Sequence, residues 1–252
     1  MLFFSDLDKT LVYSGYPDHV CVERCEDKEI TYMTSRAVDL FNGLIRRENM
    51  TFIPCTLRSF EQTIRIDIFQ SLPRQIFICD NGFSIYENGQ IDEYWDTIVK
   101  RELLAYNNEE MHEVLQSFYA NNTSEITKVK TNRDAFYTLI FIDDVVAEKH
   151  FKSICELIDK SKCRLELQGK KLYVIPQFLD KSIAVKYLIS KYNDDVVITA
   201  GDSSVDELFV KAGTLQILPA HSNLNIVSAI RTKNYGIEAG EEILSIILSS
   251  LI

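Results

Sequence analysis

A chain of 252 residues, 46% hydrophobic and 25% charged, carries enough apolar material for one large domain or two smaller ones. Its formal net charge of −10 excludes a general nucleic-acid surface, which needs a basic face. The same charge sets a problem for any anionic ligand, which a cation would have to solve. The longest apolar run, "ILSIILSSLI" at 243–252, is too short to span a membrane, so no membrane partner is expected. The start "MLFFSD" lacks the basic region and small-residue cleavage site of a secretory signal. Reduced cysteines and a cytoplasmic location are therefore expected.

The first third alternates strand and helix. "LFFSDL" reads as a buried strand that ends in two carboxylates, Asp6 and Asp8. At this spacing on an extended strand both face one side and repel, unless something makes the pairing worthwhile. Residues 13–34 are long for a strand-to-helix link, and "HVCVERC" and "EITYM" alternate like a small hairpin. His19, Cys21 and Cys25 there lack a second Cys/His pair at zinc-finger spacing, so a zinc site is not expected. "SRAVDLFNGLIRR" places Val38, Phe41, Leu44 and Ile45 on one helical face. "MTFIPCT" is a second strand. Ser59 and Gln62 have capping-box spacing and open a helix over "FEQTIRIDIFQSL", ended by Pro73. "RQIFICD" is a third strand. Strands joined by helices predict a doubly wound parallel sheet.

The middle has a different grammar. "FSIYENGQIDEYW" predicts a hairpin around Asn88-Gly89. A polar helical stretch follows over about 98–120, then the strand "AFYTLIFID", a helix over about 147–161, and the strand pair "CRLELQ" and "KLYVIP" around Gly169. Asp143 and Asp144 are adjacent at a strand end and read as helix capping. After Pro176 the first grammar resumes: a helix from Lys181 capped by Asp180, the strand "DVVITAGD", the helix "SVDELFVKA", the strand "TLQIL" and a last helix "GEEILSIILSSL". The fold expected is α/β: a doubly wound, Rossmann-like core of residues 1–84 and 177–252, interrupted by an α+β domain at 85–176.

Ligands of a doubly wound sheet bind at the carboxyl ends of its strands. Those ends deliver Asp6 and Asp8, Thr56 and Arg58, Asp80 and Asn81, and Asp202 and Asp206, while Lys181 opens the returning helix. Carboxylates with a hydroxyl and a lysine on one rim suit a divalent cation plus a phosphate. Taken singly, each residue reads equally well as a helix cap or a solvated charge. The set, in order and on one core, carries the reading.

The stretches "DLDKT", "TLR", Lys181 and "GDSSVD" resemble the four ordered motifs of the haloacid dehalogenase-like superfamily, and the inserted domain entered through "CDNGFSIYENG" resembles the larger cap of its Cof-type and sucrose-phosphatase-like branch. The resemblance implies a magnesium-dependent phosphatase for a small phosphorylated metabolite, a sugar phosphate by analogy. In that reading Asp6 is the nucleophile that forms an aspartyl-phosphate. Asp8 is the general acid and then the base, with a pKa raised by its like-charge neighbour. Thr56, with the adjacent backbone at Leu57, and Lys181 bind the phosphoryl group. Asp6, the Asp8 carbonyl and Asp202 hold magnesium, and Asp206 completes or orients that set. Residues 85–176 form the cap that selects the substrate. A phosphomutase using the same residues, or a silent metabolite-binding regulator, are the alternatives; the oligomeric state is left open. Three positions depart from the family pattern: Lys9 and Leu57 stand where glycine is usual, and Val205 where asparagine is common.

Overall fold

The computed structural model describes residues 1–106, 109–133 and 135–251. The chain divides into two compact units, one formed by Met1–Asp96 and Asp180–Ile252, the other by Thr97–Leu179.

The first unit begins with β1 (Leu2–Ser5), buried along its whole length. The hairpin β2 (Val20–Cys25) and β3 (Lys28–Met33) forms as expected, with irregular register around Glu23. The helix α1 (Ser35–Ile45) is capped by the Thr34 hydroxyl, which accepts from the Ala37 amide. It buries Ala37, Phe41, Leu44 and Ile45, while Val38 is half-buried. β4 (Thr51–Pro54) follows.

The Ser59–Gln62 capping box is present: the Ser59 amide donates to Gln62 Oε1 at 3.1 Å, and the Gln62 amide to Ser59 Oγ at 3.4 Å. The helix it opens, however, is only α2 (Phe60–Thr63), followed after a break by a 3₁₀ turn over Asp67–Ser71. The expected helix over 60–72 is therefore two pieces. The break is tertiary. Ile66 is extended, at φ −74° and ψ 108°, with its side chain fully buried and its backbone bridged to Glu23 of the hairpin. A core position and a strand bridge together override the local helical pattern.

β5 (Ile76–Cys79) lies beside β4 through a parallel bridge, Cys55 to Ile78, then turns through Asp80–Gly82 into β6 (Ser84–Glu87) and β7 (Gln90–Ile91). Asn88 and Gly89 both have positive φ, 50° and 79°, as a two-residue hairpin turn of the primed type requires. The hairpin was expected in the inserted domain, but β5, β6 and β7 share one sheet and belong to the first unit. The division instead falls inside α3 (Glu93–Ala105) and after Leu179.

The polar stretch expected as one helical region runs as α3 and α4 (Glu109–Asn121). Asn107 and Asn108, between them, lie outside the described residues. In the second unit, β8 (Ile126–Asn132), β9 (Phe136–Phe141), α5 (Asp144–Leu157), β10 (Cys163–Gln168) and β11 (Lys171–Pro176) give an antiparallel sheet of order β10-β11-β9-β8. Met111 and Leu115 of α4 and Ala147 and Ile154 of α5 join Leu139, Phe141, Leu172 and Val174 of the sheet in one core. Asp143 caps α5, its carboxylate accepting from the Val146 amide at 2.8 Å.

The chain returns to the first unit with α6 (Lys181–Tyr192), capped by Asp180. β12 (Val197–Ala200), a 3₁₀ turn over Ser204–Asp206, α7 (Glu207–Val210), β13 (Leu215–Leu218), β14 (Ile230–Arg231) and α8 (Ile237–Ser250) complete it. The sheet order is β14-β13-β12-β1-β4, every pair parallel. Phe41, Leu44 and Ile45 of α1 and Ile243, Leu244 and Ile247 of α8 share a core with Phe3 and Phe52 of the sheet. Within it the Phe52 ring lies 5.2 Å from Phe3, 4.9 Å from Phe41 and 5.5 Å from Phe69, centroid to centroid. No described helix is long and apolar enough to cross a membrane.

Candidate active site

Register decides which side chains meet. Ser5 stands opposite both Ala200 of β12 and Pro54 of β4. Three parallel strands therefore end level, and the residues just beyond them, Asp6, Asp202 and Thr56, leave the sheet at one edge. The Asp6 amide still donates to the Ala200 carbonyl at 2.9 Å. The chain then turns tightly, the amides of Thr10, Leu11 and Val12 all donating to the Leu7 carbonyl. Lys9 in that turn has φ 63°. The left-handed conformation explains why glycine suits the position, and it costs a lysine on the order of 1–2 kcal/mol.

Asp6 is buried, 6% exposed. Its Oδ1 accepts from Lys181 Nζ at 2.7 Å and its Oδ2 from the Thr10 hydroxyl at 3.3 Å. Lys181 is fully buried and donates also to Asp206 Oδ1 at 2.6 Å. The other oxygen of Asp206 accepts from the Asp202 and Ser203 amides, at 3.2 and 3.0 Å, and from the Ser203 hydroxyl at 2.8 Å. Both Asp206 oxygens are thus committed, which suits it to orienting the Asp202 loop. Two glycines make this packing possible. A Cβ on Gly201 would lie 2.6 Å from the Asp206 Cβ, and one on Gly82 would lie 2.8 Å from the Asp180 carbonyl oxygen. The second close approach joins the turn after β5 to the cap of the helix that begins with Lys181.

Asp6, Asp202 and Asp206 each offer a carboxylate oxygen within 4.8 Å of the others. Three carboxylates against one ammonium leave an excess of buried negative charge. Burial, then the Asp206 charge, raises Asp6 well above the carboxylate range, against the pull of Lys181. Burial, then Asp206, also pushes Asp202 up to about 7. Burial opposes the charge of Lys181, but Asp206 and Asp6 outweigh it and raise its pKa. A divalent cation is the ligand that such an oxygen cluster fits.

Asp8 gains a partner that the sequence reading did not give it: Arg58 Nε donates to Asp8 Oδ2 at 2.8 Å and Nη2 to Oδ1 at 2.7 Å. The chain turns at Leu7, so the same-side geometry of a continuous strand does not apply, and the Asp8 side chain is 54% exposed. Thr56 is buried. Its hydroxyl accepts from the Arg58 amide at 3.1 Å and its carbonyl from the Asn81 amide at 2.9 Å, so Thr56, Leu57 and Arg58 form one tight turn at the end of β4. Glu23, buried on β2 where the hairpin register is irregular, accepts from Arg58 Nη1 at 2.7 Å, a contact between segments 35 residues apart that the sequence pattern does not display.

A buried aspartate at the carboxyl edge of a parallel sheet, bonded to a buried lysine and faced by two aspartates from the next strand end, defines a haloacid dehalogenase-like phosphatase. The family described as sucrose-6F-phosphate phosphohydrolase matches residues 1–239, and the chain belongs to it, as a hydrolase of phosphoric monoesters. No curated protein matches the chain. Among solved structures, it is similar to the sucrose-phosphatase of Synechocystis sp. in complex with sucrose and phosphate (15% identity, 99% of this chain and 98% of that one, TM-score 0.65). It is similar also to a Thermoplasma acidophilum protein (16%, 100% and 98%, 0.67) and to the C-terminal domain of C. albicans trehalose-6-phosphate phosphatase (14%, 100% and 93%, 0.66). At these identities the structures share the fold.

Proposed function

We propose that the protein hydrolyses a sugar phosphate through an aspartyl-phosphate on Asp6, with magnesium bound. The observation that carries this is the placement of Asp6, buried and fixed between Lys181 and Thr10 at the carboxyl edge of the sheet. In the first half-reaction an Asp6 oxygen bonds to phosphorus and the bond from phosphorus to the sugar oxygen breaks. The departing oxygen takes a proton from Asp8. In the second, Asp8 takes a proton from a water that attacks phosphorus, and the bond to Asp6 breaks to release inorganic phosphate. Lys181 and the Thr56–Leu57 turn face the phosphoryl oxygens. Asp6, the Asp8 carbonyl and Asp202 would hold magnesium, with Asp206 orienting Asp202. When bound, the ion would neutralise the acidic edge and so admit an anion to it. The Thr97–Leu179 unit carries none of these side chains, and we assign it the selection of substrate. Six free cysteines support a reducing, cytoplasmic setting.

The test is phosphate release from a panel of hexose and disaccharide phosphates, sucrose-6F-phosphate among them, with magnesium or with chelator. Release from at least one sugar phosphate, lost on chelation, is expected. Release from none, or full activity after exhaustive chelation, contradicts the proposal.

The raised pKa values give a second expectation. Asp6 and Asp202 bind protons more tightly folded than unfolded. The stability this contributes is fully present below the ordinary carboxylate pKa and is lost as pH rises through the folded value, about 7 for Asp202. Without metal, the melting temperature should therefore fall between about pH 5.5 and 8. Magnesium, which favours the ionised carboxylates, should flatten the profile. A metal-free melting temperature that rises over this interval, measured by calorimetry, contradicts the electrostatic picture.

A further inference from the structure

Glu23 lies on β2 with its side chain fully buried, yet both its oxygens are used by charged partners. Oε2 accepts from Arg58 Nη1 at 2.7 Å and from the Thr31 hydroxyl at 3.1 Å. Oε1 accepts from Arg65 Nη2 at 2.9 Å and Nε at 3.2 Å. Its backbone bridges Ile66, so the hairpin is tied to the 58–66 segment through both main chain and side chain. A carboxylate without solvent is costly unless fully paired, and a hairpin that had only to pack would place an apolar residue here.

What the pairing achieves is visible on the other edge of the guanidinium. Arg58 turns one nitrogen to Glu23 and two to Asp8, in a planar, two-bond fork. Such a fork fixes the plane of the carboxylate it holds as well as its distance. The Asp8 side chain is more than half exposed, and the fork holds both of its carboxylate oxygens. The Arg58 side chain, 11% exposed, is itself fixed because its far edge is bonded to a buried carboxylate.

We infer that Glu23 is a positioning residue for proton transfer: through Arg58 it sets the orientation of the Asp8 carboxylate toward the leaving oxygen. The hairpin between the first strand and the first helix is then part of the catalytic apparatus. This rests on the reading of Asp8 as the proton carrier.

The experiment compares kcat on an alkyl phosphate, which needs a proton on its leaving oxygen, with kcat on p-nitrophenyl phosphate, which does not. Glu23→Gln is expected to lower the first by roughly 10- to 100-fold, the range for residues that orient a catalytic group through one intermediary, and to change the second only slightly. Arg65→Met removes the other guanidinium from Glu23 without touching the Asp8 pair, and is expected to leave the alkyl-to-aryl ratio unchanged. Asp8→Asn, run beside them, separates the two readings. Loss of alkyl selectivity in Asp8→Asn but not in Glu23→Gln overturns the Glu23 inference alone, whereas no selectivity change in Asp8→Asn overturns the role of Asp8 itself. An equal fall on both substrates in Glu23→Gln, or an equal ratio change in Arg65→Met, marks a structural role and overturns the inference. If Glu23→Gln does not fold, Arg58→Lys decides: one ammonium cannot make the fork, so the same selective loss is expected, and its absence overturns the proposal.

Discussion

Asp6→Asn is expected to lower kcat on the order of 10⁵–10⁶-fold, the scale on which deleting a covalent nucleophile acts. The substitution keeps the shape of the side chain and can keep the Thr10 hydrogen bond. What it removes is the charge that, in the proposed mechanism, attacks phosphorus. Stability should move the other way. Asp6 is one of three carboxylates drawn around a single ammonium, and burial with the Asp206 charge already opposes its ionisation. In metal-free protein near pH 8 the neutral amide relieves that repulsion, so the melting temperature should hold or rise. Steady-state kinetics on protein free of other phosphatases, with calorimetry on the same sample, checks both halves. Residual activity within about tenfold of the parent would remove Asp6 from the nucleophile's role, because deleting a covalent nucleophile costs several orders of magnitude more.

Lys181→Met is expected to lose both properties together. Methionine fills much the same volume, but Asp6 and Asp206 lose the cation that holds each at 2.7 and 2.6 Å. Removing one partner of a buried ion pair costs about 3–5 kcal/mol, because the remaining charge is left uncompensated. For a chain of this length that is a fall in melting temperature of roughly 6–20 °C. Protonation offers the orphaned carboxylates another escape, so the deficit should shrink at acid pH, and magnesium should reduce it at neutral pH. Activity should fall at least as far as for loss of a donor to the transferring group, about 10²–10³-fold. A variant as stable as the parent in chelator at pH 8 would show that the Lys181 pairs contribute little.

The opposite signs expected for these two variants come from register and burial, and the sequence displayed only part of that. The strand ends were legible. Apolar runs such as "LFFS" and "VITA" mark buried parallel strands, and the polar residues that follow them fall at the carboxyl edge. The caps were legible too, because Ser59, Asp143 and Asp180 act within three residues of themselves. What was hidden depends on distant partners. The split of the 60–72 helix depends on Ile66 meeting Glu23, more than forty positions earlier. β8 was missed because it is an edge strand, "ITKVKTN", with exposed Lys128 and Lys130 that guard the edge and erase the apolar signal. The Arg58 fork on Asp8 was hidden because same-side geometry assumes a strand that continues, and this one ends at Ser5. Val205, where asparagine is common, is simply buried in the 204–206 turn.

The place of β1 between β4 and β12 bears on how the chain folds. β1 is an interior strand of the sheet, and one of its two neighbours, β12, lies almost 200 residues further along the chain. Until β12 is made, the edge of β1 toward it stays open, and until residue 181 is made, Asp6 lacks the Lys181 donor. Every pairing within the β8–β11 sheet, by contrast, lies between residues 126 and 176. Short loops close early and long ones late. Asp6, the proposed nucleophile, thus waits on partners far along the chain, and a nascent chain stalled before residue 197 presents a β1 whose edge toward β12 is unpaired, a site open to misassociation.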